Sequence, residues 1–221
     1  MTIALTPGLR KCTLIAHITS SVGLLGSIAA FLALAVAGLT SHDAQTVRAA
    51  YPAMALIAKF VIVPLAFASL LTGLIESLVT PWGLLRHYWV VAKLTLTVFA
   101  TIVLLAKMAL IGRAARLAAE SNLPQADLRA AGIELMVHAI GGLMVLLVPA
   151  VLSVFKPRGL TPFGRRKERE QPASSRESLA WTSGGSTAAV PRWAYMFGFI
   201  LVVIVVHVIV LHLAGVGPGS R

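Results

Sequence analysis

Five long apolar segments dominate the sequence and limit what the chain can fold into. Their approximate ranges are Cys12–Leu39, Pro52–Leu78, Trp89–Ile111, Ile133–Phe155 and Ala194–Leu213. Each is long enough to cross about 30 Å of hydrocarbon, which takes about 20 helical residues. Only helices and closed barrels satisfy all backbone hydrogen bonds inside a bilayer, and the alternating segments of a barrel are missing from the sequence. The sequence therefore predicts an all-α polytopic transmembrane helix bundle of about five spans.

The basic residues predict the orientation of these spans. The chain has 19 Lys and Arg against 8 Asp and Glu. With the N-terminus inside, eleven of the 19 basic residues fall in inner segments, five in outer segments and three within spans. Because Lys and Arg accumulate on the cytoplasmic side, we expect a cytoplasmic N-terminus and an external C-terminus.

Composition excludes an ordinary soluble domain and a nucleic-acid partner. Charged residues make up only 12% of the chain, about half the share of a soluble domain. The net charge of +11 comes from residues between the apolar runs, where they face an anionic leaflet. Cys12 is the single cysteine, so the chain has no intrachain disulfide and no cysteine-based metal or haem-attachment motif.

Three regions follow from this pattern. Residues 1–155 are predicted to form a four-helix transmembrane bundle, and residues 193–221 a fifth transmembrane helix with a short tail. Residues 156–192 are rich in Pro, Gly, Ser and charge and cannot bury a core, so we expect a disordered basic cytoplasmic loop. Within it, Arg165, Arg166 and Lys167 are candidates for contact with anionic lipid headgroups. A membrane partner protein is another candidate.

Two Thr-Pro pairs predict early helix starts. Thr6-Pro7 and Thr80-Pro81 each place an N-cap residue before a proline at the first helical position. We therefore expect the first and third transmembrane helices to begin at Pro7 and Pro81.

Three sequence runs carry a resemblance to known proteins. They are "HITSSVGLLGSIAAFLALAVAGLTS", "SLLTGLIESLVTPWGLLRHYWVVAKL" and "LSVFKPRGLTPFGRRK". Together they resemble a group of small, uncharacterised bacterial integral membrane proteins, which implies a bacterial inner-membrane location. The His early in the first run, followed by small residues and a Val-Gly-x-Leu-Gly pattern, is also loosely similar to membrane b-type cytochromes and copper-resistance membrane proteins.

Ionisable residues inside spans are rare and costly, so they are functional hypotheses. His17 lies ten residues after the first of the two helix-starting prolines and His87 six after the second. If both helices run outward, the two differ by about 6 Å in depth. Two such imidazoles could ligate a haem b iron, and Arg86 and Lys93 could pair with its propionates. The alternative is an interfacial His87 and a His17 bonded to helix backbone.

A second polar set lies in the outer half. Glu134 and His138 are four residues apart and share one helix face. His207 and His212 lie in the outer half of the fifth span, about 140° apart around a helix, so at most one can face His138. Imidazole and carboxylate together suit copper or zinc. The alternative is interfacial polarity with one hydrogen-bonded histidine.

Three further residues have simpler predicted roles. We expect Glu76 to pair with Arg86 or Lys11 at the inner interface, with a proton-carrier role as the alternative. We expect Lys107 to snorkel toward the outer surface. Lys93 shares a stripe with Thr97 and Thr101, which predicts a polar face toward the bundle interior.

The sequence leaves three classes of function open. They are a haem b-binding electron-transfer protein, a copper- or zinc-handling membrane protein, and a non-catalytic accessory membrane subunit. Glycine-rich nucleotide loops, the HExxH motif and the G-x-S-x-G motif are all absent from the sequence. Any catalysis would therefore be cofactor chemistry within the bundle.

The topology is directly testable. Topology-reporter fusions at residue 175 and at the C-terminus should give opposite signals, because the fifth span would separate the two sites. Signals from one side of the membrane at both sites would overturn the five-span prediction, most simply by removing the fifth span.

Overall fold

The computed structural model describes residues 6–79, 87–120, 125–155, 161–162 and 165–166. The elements of this part are all helical: α1 (Pro7–Thr40), α2 (Ala44–Ile57), a π-helical turn (Ala58–Ile62), α3 (Val63–Val79), α4 (Tyr88–Ala119) and α5 (Gln125–Phe155). The predicted fifth span lies outside the described residues, as does most of the loop 156–192.

Four helical stretches are long and apolar enough to cross a membrane. They are Pro7–Thr40, Ala44–Leu78, Tyr88–Ala119 and Ala126–Ser153, so the first four predicted spans are confirmed as long apolar helices. Large apolar side chains cover the outside of the bundle: Ile15, Val22, Phe60 and Ile102 are each about 60% exposed. A surface of this kind suits lipid rather than water.

The helices form a ring of four neighbours. α1 packs against α2, α3 and α5, and α4 packs against the same three helices. Within the described residues, α1 and α4 do not approach each other closely, so they occupy opposite corners of the bundle. Successive spans run in opposite directions, and each is antiparallel to both of its neighbours, as in an up-down-up-down bundle.

Helix boundaries confirm some expected starts and correct others. α1 begins at Pro7 as predicted, and Pro64 lies just after the π-helical turn. Proline lacks an N–H and crowds the carbonyl four residues before it. The helix is wider at this turn: the backbone N–H of Val63 donates to the carbonyl of Ala58, five residues back, instead of to the carbonyl four residues back. The third transmembrane helix does not begin at Pro81: His87 has an extended backbone and α4 begins after it.

The second transmembrane helix begins eight residues before the expected Pro52. Asp43 is its N-cap, and its carboxylate accepts from the N–H groups of Gln45 and Thr46. The Thr46 hydroxyl donates to the same carboxylate at 2.7 Å. These bonds, the hydroxyl first, hold the pKa of Asp43 below its ordinary value. The cap thereby accounts for a helix that begins at Ala44, before Pro52.

Tyr51 closes the bundle at the end opposite the N-terminus. It is fully buried, and its hydroxyl donates to the carbonyl of Leu128 in α5 at 3.2 Å. Two glycines make room for it. A Cβ at Gly38 would lie 3.0 Å from the Tyr51 ring. A Cβ at Gly132 would meet the Tyr51 hydroxyl and would lie 2.8 Å from Leu39.

We expect Gly132→Ala to lower the free energy of unfolding by about 1–3 kcal/mol, because the added methyl overpacks a closed site. Gly26→Ala is the matched control, since a Cβ there meets nothing within 4 Å. Reversible unfolding of the detergent-solubilised protein measures both. Equal stability of the two variants would contradict this packing.

Candidate functional site

A row of polar side chains joins α1 to α3 in the half of the bundle that contains the N-terminus. Thr13, His17 and Ser21 are spaced at four residues on one face of α1. The Thr13 hydroxyl donates to Glu76 Oε1 at 2.5 Å, and the Ser21 and Ser69 hydroxyls are 2.8 Å apart. Glu76 thus has a hydroxyl partner on α1. Its pairing with Arg86 stays a prediction, because Arg86 lies outside the described residues.

The bonds of His17 fix which ring nitrogen carries its proton. Nδ1 lies 3.1 Å from the carbonyl oxygen of Ser69 and 3.1 Å from the Thr72 hydroxyl. The Thr72 hydroxyl donates to the carbonyl of Ala68 at 2.6 Å, so toward His17 it acts as an acceptor. Because both neighbours of Nδ1 accept, Nδ1 is the donor, and the neutral ring keeps its lone pair on Nε2.

Gly73 provides the space for this ring. A Cβ at Gly73 would lie 2.9 Å from His17 Cε1, so a larger residue would push the imidazole away. Nε2 makes no hydrogen bond to the described residues. His17 is therefore held by one nitrogen, while the other retains a lone pair that can bind a proton or a metal.

His17 lines a cavity of about 410 Å³ between α1, α3, α4 and α5. We call it the inner cavity. Its charged and titratable lining residues are Arg10, His17, Glu76 and Lys93. This combination of two cations, one carboxylate and one imidazole in a membrane helix bundle is costly, and it indicates a functional site.

The side chain of Lys93 extends from α4 toward α5 across this cavity. Its Nζ donates to the Ser153 hydroxyl at 2.6 Å and lies 5.3 Å from the centre of the Trp89 ring. The Thr97 hydroxyl donates to the carbonyl of Lys93, and that of Thr101 to the carbonyl of Thr97. Thr101 is buried and Thr97 lines the cavity, which confirms the predicted polar face of α4.

Of the other two residues of the predicted haem site, the structure describes only His87, and it does not bring His87 to the inner cavity. His87 precedes α4, its carbonyl accepts from Val90, and its ring lies 6.3 Å from that of Trp89. His87 is not among the residues that line the inner cavity. Its helix α4 lies diagonally opposite α1, the helix of His17. Arg86 lies outside the described residues. The pairing of His17 with His87 stays a prediction.

Glu134, one of the residues of the predicted outer metal site, forms an ion pair that was not predicted from the sequence. Lys107 Nζ lies 2.7 Å from Glu134 Oε1 between α4 and α5. Lys107 is only 9% exposed, so the expectation that it snorkels to the outer surface is wrong. The neighbouring carboxylate neutralises its charge inside the bundle. Matching the depths of Lys107 and Glu134 on adjacent antiparallel helices would have been the signal for it.

His138 belongs to the same region but bonds to its own helix. Its Nδ1 donates to the carbonyl of Glu134 at 2.7 Å. The part of the chain that the structure describes has no group of three His, Cys, Asp or Glu placed to hold a metal. His207 and His212 lie outside that part, so the four-residue metal site also stays a prediction.

A second, smaller cavity lies at the centre of the bundle. We call it the central cavity. Its volume is about 140 Å³, and apolar side chains of all four spans form most of its wall. Its polar lining residues are Thr97, Thr101, Lys107 and His138. Thr97 also lines the inner cavity, so the two cavities adjoin at this residue.

No protein-family model, curated protein or solved structure matches this chain. The assignment of a function therefore depends on the geometry of the two cavities.

A double-mutant cycle tests the ion pair. We expect Glu134→Leu to destabilise the protein on the order of 2 kcal/mol, below the roughly 3–5 kcal/mol for fully buried pairs, because Glu134 is 35% exposed. Adding Lys107→Met should recover most of that loss, since no charge is then left alone. Additive losses in the unfolding free energy would show that the two charges do not interact.

Proposed function

We propose that the inner cavity binds haem b and that the protein transfers electrons within the membrane. The observation that carries this proposal is the state of His17. A histidine whose Nδ1 donates to a backbone carbonyl presents Nε2 in a fixed orientation as a ligand, an arrangement common among metal-binding histidines. His17 combines this anchoring with a position on the wall of the larger cavity.

The residues present fit such a cofactor. A cavity of about 410 Å³ falls within the roughly 300–1,000 Å³ of ligand sites. Gly73 leaves the space that the imidazole of His17 occupies. Arg10 and Lys93 supply cations for two propionates, whose burial without partners would be expensive. When bound, haem supplies one-electron chemistry to the site.

The second axial position is open to two arrangements. His87 lies two residues before Trp89, which lines the inner cavity, and a haem ligated by His17 and His87 would be six-coordinate and low-spin. Ligation by His17 alone would leave the iron five-coordinate and high-spin. The visible spectrum distinguishes the two forms.

The finer topology belongs to the same proposal. We infer five spans, a cytoplasmic N-terminus and a bacterial inner-membrane location, supported by the distribution of Lys and Arg and by the resemblance to bacterial membrane proteins. This orientation places the inner cavity on the cytoplasmic side. Arg165 and Arg166 are exposed, and with Lys167 they would contact anionic headgroups there.

The test is a reduced-minus-oxidised spectrum of the purified, haem-loaded full-length protein. We expect a b-type signal that is lost in His17→Ala and retained in His42→Ala, a matched substitution at an exposed outer residue. Added imidazole should restore the signal in His17→Gly, because the small ligand can occupy the vacated space. A change in His87→Ala from low-spin to high-spin would establish the second ligand.

Two results would end the proposal. One is the absence of a haem signal in wild-type protein that is folded and supplied with haem, which would favour a non-catalytic accessory subunit. The other is a signal that survives His17→Ala. Copper or zinc that is bound stoichiometrically and lost in His138→Ala would instead favour metal handling by the outer set.

A further inference from the structure

A directional chain of hydrogen bonds connects the backbone of α3 to the ring of His17. The Thr72 hydroxyl donates to the carbonyl of Ala68 at 2.6 Å, and its oxygen accepts from His17 Nδ1 at 3.1 Å. The carbonyl oxygen of Ser69 lies 3.1 Å from the same nitrogen. Hydrogen bonds in a chain polarise one another, so a hydroxyl that already donates its proton is a stronger acceptor. The Nδ1–H of His17 therefore meets two acceptors, one from the backbone and one from a side chain.

Two further bonds between α1 and α3 hold the ring of His17 at these acceptors. One turn before His17, the Thr13 hydroxyl donates to Glu76. One turn after it, the Ser21 and Ser69 hydroxyls are 2.8 Å apart. Because the two bonds lie on either side of the ring along α1, they oppose both sliding and rotation of α1 on α3. The distance from the imidazole to its acceptors is thereby fixed.

The bonds at Nδ1 affect the chemistry of the other ring nitrogen. A hydrogen bond donated from one nitrogen of a histidine raises the basicity of the other nitrogen as a metal ligand. Ferric iron carries more positive charge than ferrous iron, so it gains more from a stronger donor. Hydrogen bonding to an axial ligand is accordingly one of the means by which a protein sets the reduction potential of a haem. The Ser69 carbonyl is part of the main chain, whereas the Thr72 hydroxyl can be removed by a single substitution.

We propose that Thr72 is a positioning residue that acts through His17: it strengthens Nε2 as an axial ligand and lowers the reduction potential of the site. This proposal rests on the proposed binding of haem in the inner cavity. The competing role for Thr72 is purely local, because threonine hydroxyls in helices commonly bond the carbonyl four residues back. A hydroxyl with only that role would leave the potential unchanged when it is removed.

The test is a spectroelectrochemical titration of the haem-loaded full-length protein. Thr72→Val removes the acceptor with little change of shape. We expect about a tenfold loss in the preference for ferric over ferrous iron, at the low end of the effect of such hydrogen-bond partners, which raises the midpoint potential by about 59 mV. Thr72→Ser keeps the hydroxyl and should have the wild-type potential. Ser21→Ala is the matched control, because it removes one hydroxyl bond between α1 and α3 and leaves both bonds of the His17 ring.

Three results would overturn the proposal. One is an unchanged potential in haem-loaded Thr72→Val, which would leave haem binding itself intact. Another is an equal rise in Ser21→Ala, which would assign the effect to looser packing of α1 on α3. The third comes from nitrogen NMR of the histidine-labelled, haem-free protein, with the His17 signal assigned by its loss in His17→Ala. We expect the proton on Nδ1, and a proton mainly on Nε2 would overturn the hydrogen-bond chain independently of any haem.

Discussion

The lack of water inside a bilayer determines where polar side chains can lie in this protein. A polar group in hydrocarbon costs several kcal/mol unless another group satisfies it. Some polar side chains here bond to a carbonyl of their own helix, and others bond across to a neighbouring helix. Thr13 bonds to Glu76 and His17 to the α3 backbone in the half that contains the N-terminus. Lys107 pairs with Glu134 in the other half. These pairs tie α1 to α3 and α4 to α5, which apolar contacts alone would leave free to slide, because lipid is as apolar as leucine.

The diagonal placement of α1 and α4 explains why the same bundle contains two cavities. Each of these helices packs against α3 and α5, and the space between them is not closed by direct contact of the two helices. Toward the N-terminal end the space is lined by charged and hydroxyl groups, and at the centre by aliphatic ones. Thr97 lies at the junction, and its hydroxyl proton is used by the carbonyl of Lys93. One face of α4 thus passes from a polar site to an apolar one.

Hydropathy and local rules predicted much of the fold, and pairwise side-chain geometry supplied what they missed. The first four spans, the start of α1 at Pro7 and the inward face of Lys93 all follow from residues close together in sequence. The early start of the second transmembrane helix depends on the Asp43 cap, which a hydropathy pattern does not register. The Lys107–Glu134 pair joins residues 27 positions apart, and predicting it requires knowing that α4 and α5 are adjacent and antiparallel. The prediction that the third transmembrane helix runs unbroken from Pro81 through His87 was wrong, because His87 has an extended backbone. A Thr-Pro pair is compatible with a helix start but does not require one.

The anchoring of His17 bears on function more than its presence in a span. A histidine bonded to a backbone carbonyl is the structural alternative to a ligand, yet the same bond is what orients a ligand. The neighbours of His17 decide how the ring is protonated: with Ser69 and Thr72 both accepting from Nδ1, the lone pair of the neutral ring is on Nε2. A purely structural histidine would need no cavity beside it and no cations across from it. The site has both, and its far wall is shared through Thr97 with the central cavity.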